Sequence, residues 1–428
     1  MQLPPDFSDN MRLLLGDDAF GRFASALSQE PPVSIRLNPR KTALLSPEHA
    51  DRLHQRLGEP VPWCRDAFYL PRRPQFTFDP LLHAGVYYVQ EASSMFLDTV
   101  LRQLLPAAPV AMLDLCAAPG GKSTVARAVL PEGSLLVSNE PIRSRVQILS
   151  ENMQKWGHPD VVVTNNYPED YRRAGLTFDI VLCDVPCSGE GMFRKDTGAI
   201  GEWSLQNVAQ CWQLQRHIVA DAWECLAGGG LLIYSTCTFN TEENEQNIRW
   251  FQHELGAEVI AVDTDPSWGI TGSLLPHFTA PVYRFIPGFT RGEGLFMAVL
   301  RKGKDGPHAD PPATIRQKLH KRMRILIDGP KPPVQKGKDL VHDVSEALMS
   351  PPVGAPVCEL SWQQAVAYLR KETLTLPADV PRGIVMVTFW GVPLGFVKNI
   401  GSRANNLYPQ EWKIRTTHIP NNYNETIS

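Results

Sequence analysis

Two cysteines stand in polar segments that directly follow predicted strands. They are Cys187, in CDVPCSGEGMFRK (183–195), and Cys237, in YSTCTFNTEENE (234–245). A thiolate is a nucleophile that splits one difficult step into two easier ones by forming a covalent intermediate. Addition of a thiolate to C6 of a cytosine ring would turn C5 into a carbon nucleophile that attacks a methyl sulfonium. The two segments therefore predict methyl transfer to carbon.

Neighbouring residues fit the same chemistry. Asp184 is an acidic side chain for a contact near N3 of the ring, which assists addition at C6. A helix N-terminus lowers the pKa of a nearby thiol, and the sequence after Cys237 predicts a helix that begins with Thr241 as its cap. Cys183 and Cys187 are one possible zinc-ligand pair, but no second Cys/His pair follows at finger-like spacing, so no metal site is predicted.

Alternating strands and helices must position these residues. From residue 109 onward, the sequence predicts strands at 110–116, 133–139, 161–164, 178–184 and 228–236. Helical patterns lie between them at 122–130, 143–157 and 204–230, and an antiparallel pair follows at 282–288 and 294–302. This alternation predicts a parallel sheet with helices on both faces, in which both cysteines meet at the carboxyl edge.

The stretch CAAPGGKST (116–124) opens the first helix of this pattern. A phosphate-binding P-loop needs a glycine five positions before Gly121, and Cys116 stands there instead. Gly120 and Gly121 allow close approach of a ligand to the main chain. Glu140, at the end of the next strand, suits the two hydroxyls of a ribose. The pattern favours S-adenosylmethionine over a nucleoside triphosphate or a nicotinamide cofactor.

The composition is that of a globular protein, with 43% hydrophobic and 20% charged residues in 428. No secretory signal or membrane-length apolar run is visible, and eight scattered cysteines do not form a disulfide framework, so we expect a cytoplasmic protein. The net charge of −3 conceals a basic stretch at 301–338 with 11 Lys/Arg and 3 Asp/Glu. That stretch is either an electrostatic footprint for phosphates or a solvated linker.

The chain divides into four predicted segments. Residues 1–108 form an N-terminal subdomain, in which 85–105 begins as a strand and continues as a helix. Residues 109–302 form the catalytic domain. Residues 303–344 are a basic, proline-rich linker with one helix at 313–326. Residues 345–428 form a small α+β domain with a helix at 361–374 and two strands within 384–399.

The motifs LDLCAAPGGKST, NEP, CDVPCSGEGMFRKD, STCT and RGEGLFMAVLRK occur in this order between Arg36 and Lys302. This set resembles the RNA cytosine-5 methyltransferases, the Sun, Nop and RsmB-like family. The tail motifs GVPLGFVK (391–398) and NLYP (406–409) are similar to the C-terminal region of its RsmF-type 16S rRNA branch. The resemblance implies an α/β fold. It consists of a Rossmann-like, S-adenosylmethionine-dependent core, an N-terminal α+β subdomain and a PUA-like C-terminal RNA-binding domain.

The resemblance also implies a role for each motif residue. Cys237 would be the nucleophile, Cys187 would assist product release, and Asp184 and Lys122 would contact the base. The cofactor-binding residues would be Cys116, Ala117, Ala118, Pro119, Gly120, Gly121, Lys122, Glu140, Arg145, Asn166 and Asp184. Asn166 would contact the adenine, although family members often carry Asp there.

RNA contacts are expected from several other parts of the chain. The N-terminal segment resembles the family's extra RNA-contacting subdomain, and Arg36 and Asn38 would lie near that subdomain. The basic stretch and the tail would contact phosphates. Possible stacking platforms for a splayed base are Tyr87, Tyr88, Phe193, Trp203 and Trp390, each of which is otherwise a core residue. The expected partner is 16S rRNA or the small ribosomal subunit, bound by a monomer.

Three alternatives remain open at the level of sequence. The RNA substrate could be tRNA instead of rRNA. A DNA cytosine-5 methyltransferase would attack with Cys187, but such an enzyme has no need for the second thiol at Cys237. A non-catalytic scaffold for the cofactor or RNA would not need both cysteines, the aspartate and the intact loop.

Overall fold

The structure is a computed structural model that describes residues 2–336, 339–416 and 425–428. Its N-terminal part consists of α1 (Pro5–Leu15), α2 (Asp17–Leu27), β1 (Ser34–Leu37), α3 (Pro39–Thr42), α4 (Pro47–His54), β2 (Ala67–Tyr69), α5 (Pro80–His83), β3 (Tyr87–Val89) and α6 (Leu97–Leu104). The strands pair antiparallel in the order β2-β1-β3. The predicted change from strand to helix within 85–105 is confirmed by β3 and α6.

A nine-stranded sheet forms the centre of the molecule. Its strands are β4 (Ala111–Asp114), β5 (Leu135–Asn139), β6 (Val161–Thr164), β7 (Phe178–Asp184), β8 (Leu226–Thr236), β9 (Glu258–Ile260), β10 (Tyr283–Phe285), β11 (Leu295–Arg301) and β12 (Ile325–Asp328). Their order is β10-β11-β8-β7-β4-β5-β6-β12, with β9 also paired to β11. The five strands from β8 to β6 are parallel. The predicted parallel sheet and its antiparallel closing pair are confirmed.

Helices cover both faces of this sheet. They are α7 (Gly121–Val129), α8 (Arg143–Trp156), α9 (Pro168–Arg173), α10 (Thr197–Glu202), α11 (Leu205–Glu224), α12 (Glu245–Glu254) and α13 (Pro312–Arg322). Successive side chains of a strand point to opposite faces. On β7, Ile180 and Leu182 belong to one buried cluster, whereas Val181 and Cys183 belong to the other. The sheet is therefore apolar on both sides, as a covered parallel sheet must be.

The predicted helix 204–230 is too long. Helix α11 ends at Glu224, and β8 begins at Leu226. The glycines that predict the end of the helix lie inside this strand, whose following residues 231–235 pair with both β7 and β11. Sheet pairing on both sides outweighs the local glycine signal, because each strand residue gains hydrogen bonds that a helix end leaves unmade.

The segment 303–344, which the sequence predicts as a linker, is not a linker throughout. Helix α13 is present, but it ends at Arg322, four residues before the predicted end. Strand β12 then pairs antiparallel with β6 and becomes an edge of the central sheet. A short hairpin follows, from β13 (Val334–Lys336) to β14 (Asp339–Val341). Ile327 is buried in this arrangement, so a core position was hidden in a basic, proline-rich segment.

The C-terminal part contains α14 (Val344–Met349), β15 (Val357–Glu359), α15 (Trp362–Leu369), β16 (Gly383–Phe389), β17 (Val392–Asn399) and β18 (Ala404–Asn406). The sheet order is β15-β16-β17-β18, and the predicted strand pair is confirmed by β16 and β17. This part packs against the N-terminal part, where Trp390 stacks on His49 with ring centroids 4.6 Å apart. No helix in the described ranges is long and apolar enough for a membrane span.

Candidate active site

A cavity of about 320 Å³ opens at the carboxyl ends of β4, β7 and β8, where open α/β sheets bind their ligands. The predicted site residues that line it are Cys116, Ala117, Ala118, Pro119, Gly121, Lys122, Asp184 and Cys237. The sheet therefore brings the predicted cofactor loop and the predicted nucleophile into one space. The other predicted site residues, Gly120, Glu140, Arg145, Asn166 and Cys187, lie outside this lining.

The loop between β4 and α7 is held from its outer side. The guanidinium of Arg145 donates to the carbonyl of Ala118 at 2.9 Å, and the amide of Asn152 donates to the carbonyl of Pro119 at 2.8 Å. Gly120 has a φ of 114°, a left-handed conformation that favours glycine, and α7 begins at the next residue. The first N–H groups of a helix have no intrahelical acceptor, so this turn leaves donors for a bound ligand.

Glu140 is almost completely buried beside this loop. Its Oε1 accepts a hydrogen bond from the backbone of Ile142 at 3.0 Å, whereas its Oε2 has no hydrogen-bond partner. Arg145 lies 3.5 Å from that oxygen, beyond good hydrogen-bond distance. A buried carboxylate oxygen without a donor is costly unless a ligand supplies one. Glu140 thus fits a ligand with free hydroxyl groups, such as a ribose.

The side chain of Asn166 is bonded to the edge strand of the sheet. Its Oδ1 accepts from the backbone N–H of Arg324 at 3.0 Å, and its Nδ2 donates to the carbonyl of Arg324 at 3.1 Å. A contact between this amide and adenine stays a prediction. Arg324, which contributes the partner groups, directly precedes β12 in the segment that sequence reasoning placed in a linker.

Lys122 and Asp184 form an ion pair on the cavity wall. Lys122 Nζ lies 2.9 Å from Asp184 Oδ2, and the hydroxyl of Ser235 donates to Asp184 Oδ1 at 2.7 Å. Burial opposes the charge on Lys122, but the adjacent carboxylate outweighs burial and raises the pKa of the ammonium group. The pair therefore presents a charged donor and a charged acceptor to whatever occupies the cavity.

The two predicted catalytic thiols are in contact. Cys187 Sγ and Cys237 Sγ are 3.2 Å apart, although 50 residues separate them in the chain. The hydrogen bond to Cys237, together with burial, raises the pKa of Cys187 well above its ordinary value. Of the two, Cys237 borders the cavity. The geometry therefore favours Cys237 as the thiol that reaches a substrate.

The predicted helix start at Thr241 is wrong. Helix α12 begins at Glu245, and Asn244 occupies the cap position. The residues before it form a loop whose polar side chains bond to one another and to neighbouring strands; Thr236, for example, donates to Asn244 Oδ1 at 2.6 Å. Because these side chains bond outside the helix, they delay its first turn.

Asp114 is a site residue that sequence reasoning missed. It ends β4, is fully buried and borders the cavity. Its Oδ2 accepts a hydrogen bond from the hydroxyl of Ser123 at 2.6 Å, and its Oδ1 has no partner. Burial, reinforced by the nearby charge of Asp184, raises the pKa of Asp114 to about 7 despite the bond from Ser123. The available signal was an aspartate inside the apolar run VAMLDL.

Arg36 and Asn38 are almost completely buried within the N-terminal part. The guanidinium of Arg36 donates to Thr124 at 2.5 Å and lies over the ring of Trp156. Asn38 donates to the backbone carbonyls of Gly85 and Trp156 at 3.0 and 2.7 Å. These side chains attach β1 and the residue that follows it to α7 and α8, so their role is structural.

Of the five predicted stacking aromatics, Tyr88 borders the cavity. The other four are buried in contacts of their own: Tyr87 donates to Asp79, Trp203 donates to Glu190, Phe193 packs on Phe7 and Trp390 stacks on His49. They are core residues, which was the alternative interpretation of each.

Comparison with known proteins identifies the chain. The family model for the 16S rRNA methyltransferase RsmB/F matches residues 102–301. The models for the N-terminal domain of RsmF and for its PUA domain match residues 3–92 and 355–414. Ribosomal RNA small subunit methyltransferase F of Shewanella sp. (strain ANA-3) is 30% identical over 91% of this chain and 92% of its own length. The chain belongs to the RsmB/F methyltransferase family.

Another RsmB/F relative is ribosomal RNA small subunit methyltransferase F of Pectobacterium atrosepticum. It is 34% identical over 70% of this chain and 63% of its own length. Among solved structures, a methyltransferase homologue from Pyrococcus horikoshii has a TM-score of 0.58 and 27% identity, over 69% of this chain and 94% of that one. The structure of NSun6 from P. horikoshii with SFG has a TM-score of 0.58 and 20% identity, over 71% and 99%.

These matches confirm the predicted fold class, including the Rossmann-like core and the C-terminal PUA domain. An RsmB/F methyltransferase depends on S-adenosylmethionine, as the loop and Glu140 predicted. The site fits that cofactor on its own evidence. Glu140 Oε2 lacks a donor, Gly120 keeps the main chain of the loop open to a ligand, and the cavity continues from the loop to Cys237.

Proposed function

We propose that this protein transfers a methyl group from S-adenosylmethionine to C5 of a cytosine in 16S rRNA of the small ribosomal subunit. The reaction passes through a covalent bond between Cys237 Sγ and C6 of the base. One observation carries the proposal: Cys237 is on the cavity wall, in contact with Cys187 and beside the Lys122–Asp184 pair. The named relatives support 16S rRNA as the substrate, and the PUA domain fits RNA docking.

Each residue then has one task. Cys237 attacks C6 as a thiolate, which places electron density on C5. Lys122 and Asp184 hold the polar edge of the base with one donor and one acceptor, so charge that develops on the ring is stabilised in a preorganised site. S-adenosylmethionine supplies an electrophilic methyl group. After transfer, loss of the C5 proton to a base expels Cys237 as the leaving group, and Cys187 receives the departing sulfur in a hydrogen bond.

The opposite side of the cavity would hold the cofactor. The loop from Cys116 to Lys122 would surround the methionine portion with its main chain, and Glu140 would accept hydrogen bonds from the ribose hydroxyls. Arg145 keeps the loop and Glu140 in place through its bond to Ala118. Enclosure by the N-terminal segment, through residues such as Tyr88, limits water around the reacting atoms.

The test is an adduct assay with wild type, Cys187→Ala and Cys237→Ala. Each protein is incubated with labelled S-adenosylmethionine and unmodified small-subunit RNA, then run on a denaturing gel and assayed for methyl incorporation. We expect Cys187→Ala to accumulate a protein–RNA adduct and Cys237→Ala to form neither adduct nor product. Cys211→Ala is the matched control, because this half-buried thiol bonds to Asn207 away from the cavity.

Each alternative predicts a different pattern. An adduct that disappears in Cys187→Ala and persists in Cys237→Ala assigns the attack to Cys187, as in DNA-type enzymes. If both Cys187→Ala and Cys237→Ala still methylate the RNA, the covalent mechanism is wrong. Digestion of the product must yield 5-methylcytidine. A parallel set of substrates, with naked 16S rRNA, small subunits, tRNA and DNA, decides the substrate class; preference for tRNA or DNA contradicts the proposal.

A further inference from the structure

Two buried carboxylates lie between the loops that carry the catalytic cysteines. Glu190 follows Cys187 in one loop and Glu243 follows Cys237 in the other, and each is almost completely excluded from solvent. Neither borders the cavity. Buried carboxylates are costly unless they are well bonded, so the partners of each oxygen show which parts of the site it holds.

Glu243 is attached to the Cys187 loop. Its Oε2 accepts from the backbone N–H of Ser188, the residue after Cys187, at 3.0 Å, and from Gln215 Nε2 at 2.7 Å. Its Oε1 accepts from Asn240 Nδ2 at 2.8 Å. All three of these donors are neutral N–H groups. They satisfy the oxygen atoms and stabilise the carboxylate form beside Cys187, against burial, which raises the pKa of Glu243.

The backbone of Glu243 is attached to the strand that leads to Cys237. Its carbonyl accepts from the hydroxyl of Tyr234 on β8 at 2.6 Å, and its N–H donates to Asn240 Oδ1 at 2.9 Å. One residue thus spans both loops: its main chain belongs to the Cys237 side, and its carboxylate belongs to the Cys187 side. This connection accounts for the close approach of two thiols from separate strands.

Glu190 connects the same two loops in the opposite direction, from the Cys187 loop to the Cys237 loop. Its Oε2 accepts from the backbone N–H groups of Phe239 and Asn240 at 2.6 and 3.0 Å, so it holds the Cys237 loop. Trp203 donates to its Oε1 at 3.1 Å. The adjacent Gly191 donates its N–H to the carbonyl of Cys237 at 2.7 Å. The two carboxylates therefore form a matched pair in which only Glu243 bonds to the residue next to Cys187.

We propose that Glu243 is a positioning residue that keeps Cys187 protonated and in contact with Cys237, so that Cys237 is the sulfur that ionises. This proposal rests on the proposed function, in which Cys237 is the nucleophile. A negative charge beside a thiol disfavours its ionisation. Cys187 then acts as the S–H donor that stabilises the Cys237 thiolate before attack and after departure from the base.

The surroundings of Cys187 support this division of roles. The groups that face it are Cys237 and Glu243, with Tyr234 on the neighbouring strand β8 and Lys122 across Cys237. The Glu243 charge adds to the effects of the Cys237 bond and of burial, which raise the pKa of Cys187. Lys122 lies on the Cys237 side of this set, whereas the carboxylate of Glu243 is bonded to the residue that follows Cys187.

The first test measures the ionisation of Cys187 in the full chain without RNA. Thiolate absorbance is followed against pH in Cys237→Ala and in Cys237→Ala with Glu243→Gln, and each curve is compared with the same protein that also carries Cys187→Ala. Because Cys237 is absent from every protein in the set, the difference isolates Cys187. Glu243→Gln should move this titration to lower pH, so that the fraction of Cys187 present as thiolate at a pH below both midpoints rises by about tenfold or more. Glu243→Asp, which keeps the charge, should restore most of the Cys237→Ala curve.

Two controls separate charge from structure. Glu242→Gln removes a neighbouring charge that is exposed, and it should leave the titration unchanged. Glu190→Gln also replaces a buried carboxylate by an amide, but the loop that it loosens is the Cys237 loop. It should therefore not move the Cys187 titration to lower pH. An unchanged Cys187 titration in folded Glu243→Gln overturns the proposal, as does an equal displacement in Glu190→Gln. If the glutamine variant does not fold, Glu243→Asp alone decides the outcome. This variant keeps the negative charge, so a shift of the Cys187 titration by about one pH unit contradicts the proposal.

The second test is kinetic and depends on the proposed function. Glu243→Gln should lower kcat by about 10-fold or more while the KM values for RNA and S-adenosylmethionine stay within about twofold, since it acts on sulfur chemistry and not on binding. It should also accumulate adduct, as Cys187→Ala does. A rise in KM with kcat unchanged contradicts the assignment. If wild type itself forms no adduct and no 5-methylcytidine, the proposed function fails, whereas the RNA-free titration still decides the role of Glu243.

Discussion

Two regions of the molecule differ in whether their charged groups are bonded within the protein. They are the sheet edge around the cavity and the basic segment 301–336. At the cavity edge, the buried oxygens Glu140 Oε2 and Asp114 Oδ1 lack hydrogen-bond partners within the protein. In the basic segment, Lys302 donates to the carbonyls of Trp223 and Leu226 at 2.6 and 2.9 Å. The many charges of the basic segment suggested phosphate binding in the sequence. The groups that fit a ligand are instead the few oxygens at the cavity edge that lack a hydrogen-bond partner.

Other cations of the basic segment are also bonded to their own chain. Lys318 lies 2.6 Å from Asp310 and donates to the carbonyl of Gly175 at 2.7 Å. Arg316 pairs with Asp328. These bonds fasten α13 and β12 to the central sheet. Charge density along a sequence therefore overestimates the charge that is available to RNA, because side chains that complete internal hydrogen bonds are no longer free to contact phosphates.

The largest expected effect tests the cavity edge. Lys122→Met removes the donor of the Lys122–Asp184 pair and leaves Asp184 without its cation. We expect methyl transfer, measured as kcat/KM, to fall by about 10²- to 10⁴-fold, as is typical when a charged group in an active site is removed. Lys321→Met, an exposed lysine of the basic segment, is the control and should retain most activity. A similar loss of kcat/KM in both variants would contradict the expected difference between the cavity edge and the basic segment.

The next prediction concerns pH and Asp114. Its raised pKa of about 7 means that the folded protein holds this proton more tightly than the unfolded chain. The stabilisation is complete below the unfolded pKa, near 4, and is lost as pH rises through 7. In the cofactor-free protein, Asp114→Asn should therefore raise the free energy of unfolding by roughly 2–4 kcal/mol above pH 7 and have little effect near pH 4.

Denaturant titrations of wild type and Asp114→Asn across this pH range measure the difference. Asp305→Asn in the basic segment is the matched control, because this aspartate is exposed and should give parallel curves. A constant difference between wild type and Asp114→Asn at all pH values would show that Asp114 does not titrate in this window.

A smaller effect is expected for Lys302→Met. The substitution leaves two backbone carbonyls without their charged donor. It should cost about 1–2 kcal/mol of stability after allowance for partial exposure, measured by denaturant unfolding. RNA affinity and its salt dependence should stay unchanged, because this ammonium group is already bonded within the protein. A reduced salt slope would instead assign Lys302 to the RNA interface.

The smallest effect is expected for Arg324→Gln. Arg324 is exposed, and antiparallel pairing of β12 with β6 puts it beside Asn165 and Asn166 at the same edge as the cavity. If this guanidinium contacts an RNA phosphate, its loss should weaken RNA binding a few-fold. It should also reduce the slope of log affinity against log salt by about 1. Stability should be unaffected. A filter-binding salt series measures the slope, and an unchanged slope contradicts the contact.

Local signals in the sequence were sufficient for the five parallel strands of the central sheet, for its β10–β11 pair and for the loop at 116–122. Strands β6 and β7 lie at the predicted positions, because short apolar runs between helical patterns have few other solutions. The same signals failed for β12, which depends on the open edge of β6 as a partner, and for the end of α11, which depends on β7 and β11. Pairing between distant strands leaves little trace in either partner's own sequence.

The sequence by itself determined which residue types are available for the proposed chemistry. Two cysteines, an aspartate, a lysine and a glycine-rich loop follow strands of one parallel sheet, so topology alone assigns them to a common edge. The tertiary structure decided their arrangement. It put the two sulfurs 3.2 Å apart, opened the cavity to Cys237 and inserted Glu243 between the loops. It also buried Arg36, whose guanidinium donates to Thr124 and lies over Trp156. The physical reason is that periodicity and turns are properties of neighbouring residues. Burial, ionisation and contact distance instead depend on groups brought together from the whole chain.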